Sequence, residues 1–199
     1  MTRPSEVLEF WFPSDPDRAN ALWWGKSSAT DDEIRARFLE TRGQAKAGDL
    51  DPWATEARGR LALIIVLDQM SRNLFRDDPE TYAADPKALA LAVEGLELGH
   101  DRALRPLERV FFYMPLEHSE ERALQARNVT LFEALASDVA AEPGVDDARK
   151  RSFDNYLDFA IRHRDVVDRF GRFPHRNTIL GRSSSPEEQT FLTQPNSSF

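Results

Sequence analysis

The stretch LALIIVLDQMSRNLFR, Leu61 to Arg76, decides the fold. Its first seven residues are all apolar, and taken alone they suit a buried strand as well as a buried helix. The flanks choose between the two. From Trp53 to Arg76 only Gly59 interrupts the run, which is far longer than an ordinary strand. A helix that is apolar on every side belongs at the centre of a helical protein. At Asp68 the segment turns polar, and Asp68, Arg72 and Arg76 then recur every four residues along one face, with Gln69 and Asn73 along the next.

Working outward, helix starts are marked by an Asp or Ser followed by Pro, at Asp15-Pro16, Asp51-Pro52, Asp78-Pro79, Asp85-Pro86 and Ser185-Pro186. The first side chain caps free backbone N–H groups and the proline suits the first helical position. Thr30 with Glu33 and Ser185 with Glu188 have capping-box spacing, while Gly48, Gly99 and Gly171 follow periodic segments and suit left-handed helix ends. No Asn-Gly or Asp-Gly hairpin signal occurs. The spacing predicts helices near 5–12, 16–24, 31–47, 52–75, 79–83, 86–98, 106–113, 119–137, 146–170 and 186–192. Many short-linked helices imply an all-α fold of stacked antiparallel hairpins. Pro52 and Pro86 stand 34 residues apart, the period of a tetratricopeptide hairpin, although the consensus residues of that repeat are missing. The expected organisation is a single domain over 1–192 with a mobile polar tail at 193–199. The turn at Glu142-Pro143-Gly144 joins helices within that domain.

The chain has 199 residues, 41% of them hydrophobic and 30% charged, which is the balance of a globular protein. With 26 basic and 34 acidic residues the net charge is −8, which disfavours nucleic acid and anionic membrane surfaces as partners. The absence of cysteine excludes disulfides, thiolate metal sites and a cysteine nucleophile. The opening MTRPSEVLEFWF carries Glu6 and Glu9 and lacks the long apolar core of a signal peptide. The longest apolar run falls well short of the roughly 20 residues of a spanning helix, so a cytoplasmic location is expected.

Polar residues gather at three places. The first is the 68–76 segment, which reads either as a solvated helix end or as a charged site among neighbouring helices. The second runs from His163 to Arg182, HRDVVDRFGRFPHRNTILGR, with Arg169, Arg172, Arg176, Arg182, His163 and His175 between aromatic and aliphatic residues. Between Arg149 and Arg182 nine basic residues face four acidic ones, a local +5, which leaves −13 elsewhere. Arginine forks of this kind form an anion site or the cationic half of internal ion pairs. Asp68, Asp85, Glu117, Glu120, Glu187 and Glu188 are available as partners, and Asp165/Arg169 and Asp168/Arg172 have i,i+4 spacing. The third place is LEHSEERALQ, with Glu117, His118, Ser119, Glu120 and Gln125, where Ser119 suits the cap of the next helix. The four histidines lack metal-ligand spacing, and no nucleophile elbow, phosphate loop or dinucleotide fingerprint occurs, so neither a metal nor a cofactor is expected. Adjacent Trp23 and Trp24 cannot face the same way, and one of them is a candidate for a pocket rim or a homodimer contact.

The strings VLEFWF, LDQMSRNLFR, HSE followed by Gln125, and RFGRFPHRNTILGR with SSSPEEQTFL together resemble the bacterial domain-of-unknown-function family 924. The resemblance spans about Val7 to Leu192. Its motif residues fall here on Asp68, Gln69, Arg72, Asn73, His118, Ser119, Glu120, Gln125, Arg169, Gly171, Arg172, Phe173, Pro174, His175, Arg176, Asn177, Gly181 and Arg182, while Met70 and Ser71 depart from the pattern. It implies an all-helical, tetratricopeptide-like fold and brings no established general activity.

Two functions follow as expectations. One is a pocket for a small carboxylate or phosphate, built from Arg72, Asn73, Gln125, Arg169, Arg172, Arg176 and Asn177. If it catalyses a reaction, His175 or His118 carries the proton and Glu120 or Asp68 orients it, without a cofactor. The other is a helical scaffold that holds an acidic peptide. Against both stands a purely structural ion-pair network, and the residues do not decide whether the chain is an enzyme.

Overall fold

The computed structural model describes residues 2–195, 197 and 198. Every regular element among them is helical, so the fold is all-α, and the chain gathers into two compact units, one up to Pro115 and one from Leu116. No helix among the described residues is long and apolar enough to cross a membrane.

The first unit is built around the decisive stretch. It forms helix α4 (Ala57–Ile64), a π turn over Ile65–Gln69, and helix α5 (Met70–Leu74). Leu61 through Leu67 are wholly buried, each removing from water a side chain worth about 1.5–3 kcal/mol for the larger residues. Helices α1 (Pro4–Trp11), α3 (Ser28–Ala47) and α6 (Asp85–Glu97) pack against this axis, and α2 (Pro16–Trp24) follows α1. The π turn inserts an extra residue where the sequence passes from apolar to polar, and such turns re-aim the side chains beyond them.

Several predicted starts are displaced, for local reasons. The stretch after Asp51 is a short 3-10 turn (Asp51–Thr55), and α4 begins only at Ala57. There the chain folds so closely on itself that a Cβ at Gly59 would collide with the Trp53 carbonyl oxygen. Asp51 caps nothing and pairs with Lys87 at 2.6 Å. Asp85 lies inside α6, whose N-cap is Ala84, and its carboxylate faces Arg72. Ser27, not Thr30, caps α3. Asp15, Asp78 and Ser185 do cap their helices, the last with a complete capping box through Glu188. Gly48, Gly99 and Gly171 have positive φ.

Helix α7 (Pro106–Glu117) runs past Pro115, where the sequence predicted an end near 113. A proline inside a helix forfeits one N–H donor, and here that loss does not stop the last turn. In the second unit, α8 (Arg122–Ala140) and α9 (Asp147–Phe170) form a hairpin through the predicted turn at 142–144. Ser119 accepts from the Glu121 N–H two residues on, while the N-cap of α8 is Glu121 and carries no side-chain cap. The buried stripe of α9 holds Phe153, Ala160, His163, Val166 and Val167. Phe173 joins Val166 and Val167, with Phe170 and Phe191 of α10 (Pro186–Leu192) packed against them. Of the expected tail, Asn196 and Phe199 lie outside the described residues. Thr193 donates to the Thr190 carbonyl and Ser197 to that of Leu192.

Candidate functional site

In the first unit the polar end of the central helix is an ion-pair chain. Asp68, fully buried within the π turn, accepts from Arg72 at 3.0 Å and from Gln69 at 2.6 Å. Arg72 also reaches both oxygens of Asp85, at 3.3 and 3.1 Å, and lies over the Tyr82 ring. Burial works against its charge, yet the two carboxylates hold the guanidinium above its ordinary pKa. Asn73 and Arg76 both donate to Asp31.

In the second unit Arg169, Arg172 and Arg182 are held by carboxylates of α10 and of the turn after α7. Arg172 forms a two-pronged pair with Glu188, at 2.7 and 2.8 Å, and donates to the Ser183 carbonyl. That pairing, with the Ser185 N–H, lowers the Glu188 carboxyl to about 2 despite its burial. Arg182 makes a second fork onto Glu120, at 2.7 and 3.0 Å, and the Phe173 N–H donates to the same carboxylate. Burial pushes Glu120 up, but these donors keep it below the usual carboxylate range. Arg169 binds Glu187. The i,i+4 pairs expected of Asp165 and Asp168 give way to these: both carboxylates lie beside Arg164, and Asp168 also faces Arg122. Asn177 donates to Ser184.

The end of α7 is capped by side chains. Gln125 donates to the carbonyls of Glu117 and Ser119, both at 2.6 Å, and Arg176 donates to that of His118 at 2.9 Å. A guanidinium and an amide thereby occupy the negative end of a helix dipole. Arg176 also lies 4.4 Å from the centroid of Phe173.

Around that cap stand three imidazoles. His163 is 6.3 Å from His118 and 5.6 Å from Phe173, ring centre to ring centre, and Phe173 is 5.7 Å from His175. His163 Nδ1 lies 2.8 Å from the Phe159 carbonyl, which only accepts, so the ring proton sits on Nδ1. The same nitrogen is 3.3 Å from Glu117 Oε1, and Asn128 donates to Glu117 Oε2. Burial above all, with the charges of His118, Arg176 and His175, lowers the His163 pKa to about 3 against the pull of the Phe159 carbonyl. The ring is neutral at physiological pH.

The model for bacterial proteins of unknown function, DUF924, matches residues 7–196. The chain belongs to this family. The DUF924 chain is also similar to ATU0120, a protein of unknown function from Agrobacterium tumefaciens, whose solved structure it matches with a TM-score of 0.80. The two are 39% identical, over 95% of this chain and 96% of that one. No curated protein matches the chain.

The nominated residues of the DUF924 chain therefore fall into two groups. Asp68, Arg72 and Asn73 lie in the first unit, and Glu120, His118, Gln125, Arg169, Arg172, His175, Arg176 and Asn177 lie in the second. Arg169, Arg172 and Glu120 are bound to oppositely charged side chains, and Gln125 and Arg176 cap α7. Sequence reasoning left out Glu117, Asn128 and His163 as site residues. For His163 a signal existed, a titratable side chain standing in the apolar stripe of α9. Among the described residues no three His, Asp or Glu side chains are grouped so as to hold a metal ion.

Proposed function

We propose that the second unit of this protein binds a small molecule bearing a carboxylate or phosphate, beside His118, His163 and His175. The observation that supports this reading is the meeting of His118 and the Glu117 carboxylate with His163, and of His163, His175 and the Arg176 guanidinium with Phe173. A core that needed only packing would fill such a place with apolar side chains, because each buried polar group costs free energy unless it is bonded. Sites with displaced titration are where ligands and proton transfer concentrate.

The ion pairs narrow the roles. Arg169, Arg172 and Arg182 hold α10 and the turn after α7 in place, so they frame the site. Asp68, Arg72 and Asn73 serve the first unit as a structural network. His175 and His118 remain the proton carriers if a reaction occurs, with a neutral His163 near them. A cytoplasmic setting belongs to the same reading, since a chain without cysteine gains nothing from an oxidising compartment.

The test is thermal unfolding with inorganic phosphate, acetate and succinate, for wild type and for His175→Gln. Binding to the folded state raises stability by about 2.7 kcal/mol at a hundredfold excess over Kd. Wild type responds to at least one anion and His175→Gln loses that response while keeping its own melting temperature. If no anion acts but an acidic peptide does, the scaffold reading replaces this one.

A further inference from the structure

The polar wall of this region is made on one face of α8. Gln125 and Asn128 are three residues apart, so they stand one helical turn from each other on that face, and both are fully buried. Their amide nitrogens are committed: Gln125 donates to the Glu117 and Ser119 carbonyls, and Asn128 to the Glu117 carboxylate. Carbonyls only accept, which fixes the Gln125 amide with its nitrogen toward residues 117–119, and an ionised Glu117 fixes the Asn128 amide in the same way. The two amide oxygens, Gln125 Oε1 and Asn128 Oδ1, have no hydrogen-bond partner among the described residues. Two acceptors left this way, a turn apart in a buried place, ask for a donor from outside the chain.

We propose that the molecule bound beside His118 and His175 carries, next to its anionic group, a hydroxyl or amine that donates to Gln125 Oε1 and Asn128 Oδ1. This rests on the proposed small-anion site and adds to it the class of ligand, a hydroxy acid or an amino acid in place of a plain carboxylate. The two halves of the site then have opposite hydrogen-bonding character. Imidazole and guanidinium groups meet the anion, and the α8 amides with Glu117 beside them meet the donor. A site with buried acceptors rejects an analogue lacking the donor more strongly than one built on shape alone, since binding that analogue strands the acceptors. A hydroxyl brings a neutral donor and an ammonium brings a charge that Glu117 would favour, so the two kinds of ligand are separable by experiment.

The experiment is a calorimetric titration of the full chain with matched molecules: propionate, lactate and alanine, and in parallel inorganic phosphate and glycerol 3-phosphate. The donor-bearing member of a pair is expected to bind at least tenfold more tightly. Alanine tighter than lactate assigns the donor as an amine, and the reverse order assigns it as a hydroxyl. In Asn128→Leu, which removes the amide and keeps the volume, that preference falls severalfold. Should the leucine variant fail to fold, the wild-type comparison alone decides the matter. Equal binding of propionate, lactate and alanine, with phosphate and glycerol phosphate also equal, overturns the inference and leaves the anion site standing. That result would mean that buried water satisfies the two oxygens. No binding by any of the five overturns both.

Discussion

Lowering the pH should destabilise the protein through His163, and the size of the loss follows from its surroundings. The ring is 4% exposed and titrates near 3 in the folded chain, whereas an unfolded histidine titrates near 6.5. Because the folded pKa is the lower one, the unfolded state takes up the proton first. The stability that His163 contributes is complete above about pH 6.5 and drains away as the pH falls toward 3. Each pH unit within that window costs about 1.4 kcal/mol for one proton, so going from pH 7.5 to pH 5.0 should cost about 2 kcal/mol from this group alone. Other groups titrate over the same range, so the comparison must be internal. Urea unfolding of wild type and of His163→Gln at both pH values supplies it, since glutamine can still donate to the Phe159 carbonyl but cannot titrate. Wild type should lose about 2 kcal/mol more than the variant. Equal losses would refute the claim that His163 is held neutral by burial.

Asp68→Asn should cost about 3 kcal/mol, the low end for breaking a buried pair, because Arg72 keeps Asp85 at 3.1 Å; a urea midpoint equal to wild type would show that the pair is not structural. Gly59→Ala should destabilise by about 3 kcal/mol or more, because the new Cβ meets a backbone oxygen and not a yielding side chain. Thermal unfolding would show it, and a melting temperature equal to wild type would mean that α4 can start elsewhere.

The elements that could be read in advance are those whose causes are local. The buried axis followed from an unbroken apolar run, and the Asp68–Arg72 pair from spacing within one helix. The helix ends at Gly48 and Gly171 followed from glycine's tolerance of positive φ. What spacing could not supply was the outcome of competition. An i,i+4 pair is worth only a few tenths of a kcal/mol, and Arg172 had Asp168 at that spacing and Glu188 sixteen residues on. The distant partner wins because the capping box of α10 fixes its carboxylate for a two-pronged approach. The same holds at Pro115. Locally it argues for a helix end, and the side chains of Gln125 and Arg176 that cap the longer helix come from other segments. His163 could be noticed in its stripe, but the groups that surround it come from residues 117–118 and 173–176, which helical periodicity does not place.

The cap on α7 has a consequence for the order in which the chain acquires structure. Arg176 reaches the His118 carbonyl across 58 residues of sequence, and Arg182 reaches Glu120 across 62. Closing loops of that length is entropically costly and slow compared with winding a helix. During synthesis α8 and α9 can pair as soon as both have left the ribosome, yet the turn at 117–120 must wait for residues 173–182 before its ties are complete. A nascent chain that stops just after α9 would hold the hairpin but leave Glu120 without its arginine fork and the His118 carbonyl without its guanidinium. Translation past Arg182 is therefore the event that turns a helical hairpin into a defined polar site.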